Sequence, residues 1–362
     1  MAKDLTSEEM YTCEWRTLCE VFSKSLRSQI KIPWNLFFDL ESLNRFVPVI
    51  EFDDYLKEVG VQRVEAVFYL QAYAESWTHW EEKWHYRPCI DQNYYFFDKN
   101  LQLYGGWFFG YEDIYAKRFN CISIQGHASM LKSIVLAENE TAQSILFDRA
   151  ETVLHDTFGD VTYWQARRSM RYNKRLVEIG NEFRRLELKS TDLDDKTFMQ
   201  EDWTKDKITP GAAIGGPYLC VHWRRKDFIR AHTQEVPSIK GTAAQIIRLS
   251  NTISLNLVFL STDALDYEVD ELISYLPSNI SIKRYVPSSE ILQIYKDGGV
   301  SIIDQWICSH AGYFVGTHVS TFSFRIQEDR EILGFNSQTT FNRLCPDNVT
   351  NCEQPSKWAI VL

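Results

Sequence analysis

The hydrophobic pattern is most regular in the second half of the chain. From residue 218 onward, short apolar runs alternate with segments in which apolar residues recur every three or four positions. The runs predict buried strands, and the longer spacing predicts amphipathic helices. The predicted strands are 218–223, 255–260 and 313–316, and the predicted helices are 241–249, 267–276, 302–308 and 324–333. Strands that alternate with helices indicate an α/β fold with a parallel sheet covered on both faces.

The first half is less regular. Residues 1–60 show no repeating pattern, and residues 61–126 are dense in aromatic side chains and contain a strand-like run that stops at Gly126. The spacing of apolar residues from Tyr163 to Leu188 then predicts one long amphipathic helix. Basic residues lie on its other face, and we expect them to be solvated rather than to bind an anion. These residues are Arg167, Arg168, Arg171, Lys174 and Arg175.

A glycine- and proline-rich segment separates the two patterns. Residues 209–217 have the composition of a hinge, so we place a domain boundary there and predict domains of residues 1–209 and 210–362. The glycines of this segment precede a strand. A dinucleotide-binding fingerprint requires them after one, so the segment does not predict such a site.

Composition and charge narrow the class of protein. The 362 residues are 44% hydrophobic and 14% aromatic, which is ample for the cores of two domains. A net charge of −10 argues against a nucleic-acid partner. No apolar run approaches the roughly 18 residues of a membrane span, so we expect none. The first ten residues lack the basic start and apolar middle of a secretory signal, which on its own indicates the cytosol.

The eight cysteines indicate a different compartment. Cys345 and Cys352 bracket a short polar loop as a small disulfide would, and Cys89 and Cys121 could form a second one. Neither pair has the close spacing of a zinc site, so we expect no metal. Free thiols in a reducing cytosol are the alternative. Three sequons agree with glycosylation in a secretory compartment, and they are Asn139, Asn279 and Asn348.

Basic residues follow the first strand after the hinge. His222, Arg224 and Arg225 come at the end of the hydrophobic run that starts at Tyr218. The carboxyl edge of an α/β sheet is where such folds bind ligands, and a guanidinium there can hold a pyrophosphate with two hydrogen bonds. If the strand extends that far, His222 and Arg224 point to one side and Arg225 to the other. An ordinary charged loop is the alternative.

A second motif occurs about a hundred residues later. In the run from Gly316 to Phe322, a hydrophobic strand leads into glycine, then hydroxyl residues, then a helix. Backbone amides and hydroxyls at a helix start can bind phosphate oxygens. A simple Ser/Thr helix cap is the alternative, and both can hold at once.

Asp304 lies within the predicted helix 302–308, where apolar side chains occupy the buried face. These are Ile302, Ile303, Trp306 and Ile307. The carboxylate could accept hydrogen bonds from a base or a ribose, or it could simply face solvent. Helical spacing does not distinguish the two.

These motifs and several longer runs carry a resemblance to a known family. From about residue 32 to residue 362, the chain resembles the GDP-fucose protein O-fucosyltransferases. The runs are Glu82-Lys-Trp-His-Tyr-Arg-Pro-Cys-Ile-Asp91, Asp148-Arg-Ala-Glu151, Tyr295-Lys-Asp-Gly-Gly-Val300, Ile303-Asp-Gln-Trp-Ile307 and Cys352-Glu-Gln-Pro355. The resemblance implies a GT-B-like fold, in which two Rossmann-like domains face each other across a cleft. Residues 1–209 would form the acceptor side and residues 210–362 would bind GDP-fucose.

The resemblance also implies a reaction and its residues. The reaction is inverting transfer of fucose from GDP-fucose to Ser or Thr of folded thrombospondin type 1 repeats in the endoplasmic reticulum lumen, with no cofactor required. Arg224 would act on the leaving pyrophosphate, and Asp329 stands at an acidic position where the family has Glu. The implied donor-binding residues are His222, Trp223, Arg224, Asp304, Thr321 and Phe322. The implied disulfides are Cys89–Cys121 and Cys345–Cys352.

One family feature has no counterpart in the sequence. Family chains start with a signal peptide and a first strand that ends in a loop of the form Asn-Pro-Pro-Glu-Gly-Phe-Asn, whose glutamate is the proposed base. Glu14 lacks the flanking prolines and glycine and is not equated with it. We therefore expect an incomplete or alternatively spliced product, without the first domain's opening strand and with little or no transferase activity. The alternative to an enzyme is a fragment that binds GDP-fucose or thrombospondin repeats. A hydrolase is disfavoured, since its Gly-x-Ser-x-Gly and His-Glu-x-x-His motifs are missing from the sequence.

Overall fold

The structure is a computed structural model that describes residues 32–60, 63–75, 81–90, 95–106, 114–138, 142–154, 158–347, 349 and 351–362. Within these residues the chain divides into two compact units. One unit is Ile50–Phe158, and the other combines Trp34–Val49 with Gly159–Leu362. The domain boundary predicted after residue 209 stays a prediction. The sequence predicted that the first domain lacks its opening strand. Residues 1–31 lie outside the described part, so this stays a prediction.

The elements up to residue 158 include six strands. The helices are α1 (Leu40–Asn44), α2 (Phe52–Val59) and α3 (Leu131–Glu138), with 3-10 turns at Trp34–Leu36, Ala128–Met130 and Ala150–Thr152. The strands are β1 (Arg63–Gln71), β2 (Lys83–Tyr86), β3 (Tyr95–Asp98), β4 (Leu103–Gly106), β5 (Tyr115–Gln125) and β6 (Ile145–Asp148). They form a mixed sheet of order β3-β4-β5-β1-β6, with β2 beside β5 and with β1 parallel to both β5 and β6. The predicted end of a strand at Gly126 is confirmed.

The elements after residue 158 form an α/β unit with a second sheet. Its helices are α4 (Val161–Ser169), α5 (Lys174–Glu187), α6 (Asp192–Asp195), α7 (Phe228–Ala231), α8 (Ile239–Ile253), α9 (Asp266–Ser274), α10 (Ser289–Ser309), α11 (Thr321–Leu333) and α12 (Ser337–Thr340), with a 3-10 turn at Trp203–Lys205. Its strands are β7 (Gly216–Trp223), β8 (Leu257–Thr262), β9 (Ser281–Lys283), β10 (Ala311–Gly316) and β11 (Asn342–Arg343). All pair in parallel in the order β11-β10-β7-β8-β9, so the predicted parallel sheet is confirmed.

Strand β7 is covered on both faces, which explains its nearly uninterrupted apolar run. Leu219, Val221 and Trp223 share one buried cluster with side chains of α8 and α9. Because successive residues of a strand alternate in direction, Cys220 and His222 face the other way. There Cys220 forms a disulfide with Cys308 of α10.

The single helix predicted from Tyr163 to Leu188 is wrong, because two helices occupy this stretch. The backbone of Tyr172 forms an isolated bridge with Phe38. The Asn173 side chain then caps α5 by accepting from the amide of Arg175. An asparagine that satisfies a first-turn amide favours a new helix start over continuation.

The solvated basic face predicted for this stretch is only partly confirmed. Lys174 and Arg175 expose 62% of their side chains. Arg167 and Arg168 are buried, and Arg171 pairs with the nearly buried Asp206. Helical spacing alone did not distinguish an exposed cation from a cation that forms an ion pair with a carboxylate far away in the sequence.

Three disulfides cross-link the described residues. Cys89–Cys121 and Cys345–Cys352 are the two that were expected. Cys220–Cys308, which joins residues 88 positions apart, was not. Among the sequons, Asn279 is exposed in a turn before β9, whereas Asn139 and Asn348 lie outside the described residues. In the part of the chain that the structure describes, no helix is long and apolar enough to cross a membrane.

Candidate active site

The two predicted motifs meet at the carboxyl edge of the second sheet. In the parallel register, His222 of β7 lies between Ser261 of β8 and Gly316 of β10. All three residues are at or next to the last residue of their strands. Ligands of open α/β sheets bind outside this edge. We call this region, with Arg224, Asp304, Ser320 and Thr321 around it, the β7 edge.

His222 is held in a fixed orientation. Its side chain is buried, its Nδ1 lies 2.9 Å from Ser323 Oγ, and its ring stacks on Phe322 with centroids 4.3 Å apart. Burial lowers the pKa of His222 to about 3, and the charge of Arg224 acts in the same direction. The imidazole is therefore neutral at physiological pH.

Arg224 lies just beyond the end of β7. Its amide donates to Thr317 Oγ1 at 2.9 Å, which ties it to the loop after β10. Its guanidinium donates to the Asp227 carboxylate at 3.1 to 3.2 Å and lies 5.0 Å from the Phe228 ring centroid. The side chain stays 21% exposed, so the guanidinium is reachable from solvent.

Arg225 has a different role from its neighbour. It is buried and donates to Glu268 Oε1 at 2.9 and 3.1 Å and to the Pro237 carbonyl at 3.3 Å. Its amide donates to Asp263. Arg224 thus keeps part of its side chain exposed beside its carboxylate partners, whereas Arg225 is buried and supports the fold.

The start of helix α11 leaves polar groups unbonded. Ser320 is the N-cap residue but makes no side-chain cap bond. Among the described residues, neither Ser320 Oγ nor Thr321 Oγ1 has a partner, although both atoms are buried. Val319, just before them, has a φ of 46°, which is rare for a β-branched residue. The positive end of the helix dipole and these hydroxyls together suit a phosphate.

Asp304 is a half-buried residue beside the same edge. Its Oδ2 accepts from Ser261 Oγ at 2.8 Å. Its Oδ1 is buried and is bonded by no residue of the described ranges. Burial raises the pKa of Asp304 to about 7, while the Ser261 hydrogen bond and the charge of Arg284 oppose the shift. One carboxylate oxygen is therefore left for a ligand donor.

Trp223 is not brought together with His222. Its side chain is fully buried in the cluster on the α8 and α9 side of the sheet, opposite to that of His222. The guanidinium of Arg225 lies 5.0 Å from its ring centroid. The donor-binding role of Trp223 stays a prediction.

Asp329 lies apart from the β7 edge. It follows Thr321 by eight residues, or about 12 Å along the axis of α11. Its Oδ2 accepts from the Tyr172 hydroxyl at 3.1 Å, and its Oδ1 is 3.5 Å from Arg325 Nε and 3.7 Å from Arg167 Nη2. Its catalytic role stays a prediction.

The neighbouring Glu328 completes a network that we call the arginine–carboxylate cluster. Glu328 is buried and accepts from Arg167 Nε and the Tyr163 hydroxyl. Burial raises the pKa of Asp329 to about 7; the charge of Arg167 opposes the shift and that of Glu328 adds to it. A pocket of about 20 Å³ beside Asp329 has room for about one water. The cluster comprises Tyr163, Arg167, Tyr172, Arg325, Glu328 and Asp329.

Several residues of the β7 edge were missed from the sequence. Ser323 comes directly after the second motif, and nothing in the local pattern singled it out. Ser261 sits at the end of the predicted strand 255–260, where no charged residue drew attention. Within the described ranges, no group of three or more His, Cys, Asp or Glu side chains could hold a metal ion.

Comparisons with known proteins identify relatives of this chain. A family model described as GDP-fucose protein O-fucosyltransferase matches residues 15–333. The GDP-fucose protein O-fucosyltransferases 2 of Pan troglodytes and Homo sapiens are 51% and 50% identical over 334 residues, which are 92% of this chain and 77% of each relative. The Caenorhabditis elegans protein of the same name is 48% identical over 341 residues, 92% of this chain and 78% of that one.

Solved structures with much lower identity share the fold. A crystal structure of POFUT1 in complex with GDP-fucose has a TM-score of 0.55 and 15% identity, covering 88% of this chain and 85% of that one. A crystal structure of POFUT1 in complex with GDP has a TM-score of 0.55 and 16% identity, and the match covers 91% of this chain and 87% of that one. The fold is therefore the GT-B-like α/β fold of these proteins. With the family model and the close relatives, it follows that the chain belongs to the GDP-fucose protein O-fucosyltransferase family and is a glycosyltransferase.

Proposed function

We propose that this protein transfers fucose from GDP-fucose to Ser or Thr hydroxyls of folded thrombospondin type 1 repeats, with inversion at the sugar carbon, in the endoplasmic reticulum lumen. One observation carries the proposal: unbonded buried hydroxyls, a neutral histidine and an accessible arginine gather at the β7 edge. The names of the relatives supply the donor and a protein oxygen as the acceptor. The thrombospondin repeat is what the sequence resemblance implies. The disulfides are consistent with a secretory compartment.

The β7 edge suits the departing nucleotide. As the bond from the sugar carbon to the phosphate oxygen breaks, negative charge grows on the pyrophosphate and positive character grows on the sugar. Arg224 would stabilise the pyrophosphate, in competition with its present partner Asp227. Preorganised donors that meet a developing charge lower the barrier more than they strengthen substrate binding.

The remaining contacts would fix the donor. Ser320 and Thr321 would donate their hydroxyl hydrogens to phosphate oxygens, and Asp304 Oδ1 would accept from an N–H of the base or a ribose hydroxyl. Phe322 would keep the imidazole of His222 in its present orientation by stacking on the ring. No metal or other cofactor enters this proposal, because a cation and a helix start are enough to receive the two phosphates. Asp329 would act by positioning α11 rather than by touching the sugar.

A second candidate is a protein that binds GDP-fucose or thrombospondin repeats without turnover. A new sugar–oxygen bond requires that the acceptor hydroxyl lose its proton. The second candidate is favoured by one observation: among the described residues, the β7 edge offers as proton acceptors only the buried His222 and the carboxyl of Asp304.

Two measurements on the full chain distinguish the candidates. Calorimetry with GDP and with GDP-fucose tests the donor site, and GDP release in the presence of a folded thrombospondin repeat tests transfer. Binding with fucose incorporated into the repeat supports the transferase. Binding without incorporation favours the second candidate. Failure to bind either nucleotide contradicts the β7 edge as a donor site, both for a transferase and for a GDP-fucose-binding protein.

A further inference from the structure

The imidazole of His222 has one nitrogen with a hydrogen-bond partner among the described residues and one without. Nδ1 lies 2.9 Å from Ser323 Oγ, while Nε2 is bonded by none of the residues that the structure describes. A neutral imidazole carries its hydrogen on one nitrogen only, and the partner of the other nitrogen decides which. The direction of the Ser323 hydrogen bond therefore decides what Nε2 offers to a ligand.

We propose that Ser323 is a positioning residue whose hydroxyl donates to Nδ1 of His222, and so fixes the hydrogen of the ring on Nε2, where it can be donated to the pyrophosphate of the donor. This inference rests on the proposed function only in its last step. The tautomer itself is a property of the protein without any ligand.

The distances favour this direction. The Ser323 hydroxyl has one hydrogen and two acceptors in reach, Nδ1 of His222 at 2.9 Å and the Thr317 carbonyl at 3.5 Å. A contact of 3.5 Å lies beyond the usual range for a hydroxyl donor, so the hydrogen belongs on the path to Nδ1. The opposite direction would leave Nε2 as an acceptor, whose lone pair would repel a phosphate oxygen.

The packing holds both partners in place. Ser323 is fully buried in the first turn of α11. Gly316, in register with His222, makes room for it, because a Cβ at that position would overlap the Ser323 hydroxyl. The Phe322 ring covers one face of the imidazole. With its ring buried and stacked, His222 has no room to turn and exchange its two nitrogens.

The neutrality of the ring gives the hydrogen bond its importance. Burial keeps the pKa of His222 near 3, so the ring does not meet a phosphate as a charged imidazolium with hydrogens on both nitrogens. A neutral ring in the wrong tautomer would present a lone pair instead of a donor. Ser323 thus sets which nitrogen of the imidazole donates, without touching the ligand itself. Hydrogen-bond partners of metal-binding histidines commonly act in the same way.

The first test reads the tautomer directly. Nitrogen-15 spectra of His222 in the ligand-free full chain, assigned by comparison with a His222→Gln sample, should show the hydrogen on Nε2. Ser323→Ala should lose this single state or reverse it. A wild-type spectrum with the hydrogen on Nδ1 would overturn the proposal, whether or not the protein proves to be a fucosyltransferase.

The second test measures the consequence for binding, with GDP as the probe in calorimetry. Ser323→Ala should raise the Kd about tenfold, since a donor to a charged phosphate is lost or made intermittent. Ser309→Ala is the matched control, because Ser309 is also fully buried and its hydroxyl lies 3.0 Å from Nδ1 of another histidine, His310. This control should stay within about twofold of wild type.

A double variant separates positioning from general damage to α11. The amide nitrogen of Gln in His222→Gln can donate from about the position of Nε2 and needs no partner to set a tautomer. In that background Ser323→Ala should add less than about twofold to the Kd. A full tenfold addition there would contradict the proposal, as would a Ser323→Ala variant that binds GDP as tightly as Ser309→Ala. A wild-type protein that does not bind GDP would refute the proposed function, while the tautomer test would still stand.

Discussion

Helix α11 carries two polar regions that differ in how their groups are bonded. At its start, the hydroxyls of Ser320 and Thr321 are buried and unpaired within the described residues, like Oδ1 of Asp304 nearby. Two turns later, Glu328 and Asp329 accept from hydroxyl and guanidinium groups of α4 and the segment that follows it. Leaving a buried polar group unbonded costs about 1 to 3 kcal/mol. In the cluster, Nη1 and Nη2 of Arg167 and Nη1 of Arg325 also have no hydrogen-bond partner among the described residues. The two regions therefore differ in their oxygens: the carboxylates of the cluster are bonded, whereas the β7 edge keeps hydroxyls and a carboxylate oxygen that a ligand would bond.

Burial and pKa alone do not separate the two regions. Asp304 and Asp329 have pKa values raised to about 7 by the same cause, burial. The difference lies in their oxygens, because Asp304 keeps one without a partner in the described part of the chain, whereas both oxygens of Asp329 have a hydroxyl or guanidinium nearby. A perturbed carboxyl therefore indicates a ligand site only together with an unsatisfied atom.

The largest expected effect is on stability, in the cluster. Arg167→Met should lower the free energy of unfolding by about 3 to 5 kcal/mol, because it leaves Glu328 buried without its cation. Denaturant unfolding measures this, and GDP affinity of the protein that remains folded should be unchanged. Arg175→Met is the control, since its side chain is 62% exposed. If the two variants unfold at the same denaturant concentration, the cluster is not a stabilising network.

The next effect is on catalysis, at the β7 edge. Arg224→Lys should lower kcat/KM for transfer about 100-fold, because an ammonium cannot reproduce the two-point grip of a guanidinium on a pyrophosphate. Unfolding should change little, as the side chain is partly exposed. Arg230→Lys, on the exposed side of α7, is the matched control. Equal kcat/KM values for these two variants would remove Arg224 from the mechanism.

A smaller effect on binding tests the unbonded hydroxyls. Thr321→Val keeps the shape of the side chain and removes its hydroxyl, so GDP affinity should fall between about 10- and 100-fold. Unfolding should be unchanged or slightly harder, because Thr321 Oγ1 has no partner among the described residues to lose. Thr252→Val on α8, whose hydroxyl donates to a helix carbonyl, is the control. A Thr321→Val protein that is destabilised but binds GDP normally would reverse the assignment of this hydroxyl.

The sequence predicted the strands that form the β7 edge, because β7, β8 and β10 are short apolar runs buried on both faces. The resemblance to the family implied a donor-binding group, of which the side chain of Trp223 lies on the opposite face of the sheet from His222. The group was His222, Trp223, Arg224, Asp304, Thr321 and Phe322. The sequence did not predict the partners that lie far away along the chain, such as Ser261 for Asp304. Such pairings depend on register between strands, which no local pattern contains.

The arginine–carboxylate cluster was harder to predict from the sequence for the same reason. Arg167 lies on a helix whose basic face suggested solvent, and its partner Glu328 comes 161 residues later. The break before α5 likewise depends on a bridge between Tyr172 and Phe38, 134 residues apart in the sequence. Local spacing identified the elements, while the pairing of their polar faces required the fold.

The smallest expected effect is the pH dependence of GDP-fucose affinity, which should distinguish Asp304 from Asp329. If GDP-fucose binds the ionised form of Asp304, its affinity should rise about tenfold from pH 6 to pH 8, as a group with a pKa of about 7 goes from mostly protonated to mostly ionised. Asp304→Asn should remove this dependence. Asp329→Asn should leave it intact.

The same aspartates should behave alike when stability is measured. The folded-state pKa of Asp329 lies above the ordinary value of 3.8, so the folded protein holds this proton more tightly than the unfolded chain. Its contribution to stability therefore decreases as pH rises from about 4 to about 7, and Asp329→Asn should flatten that part of the profile. Because Asp304 shares the raised pKa, its Asn variant should flatten the stability profile too, so only donor affinity separates the two. A pH-dependent affinity that survives in Asp304→Asn but disappears in Asp329→Asn would assign the ligand to the cluster instead of the β7 edge.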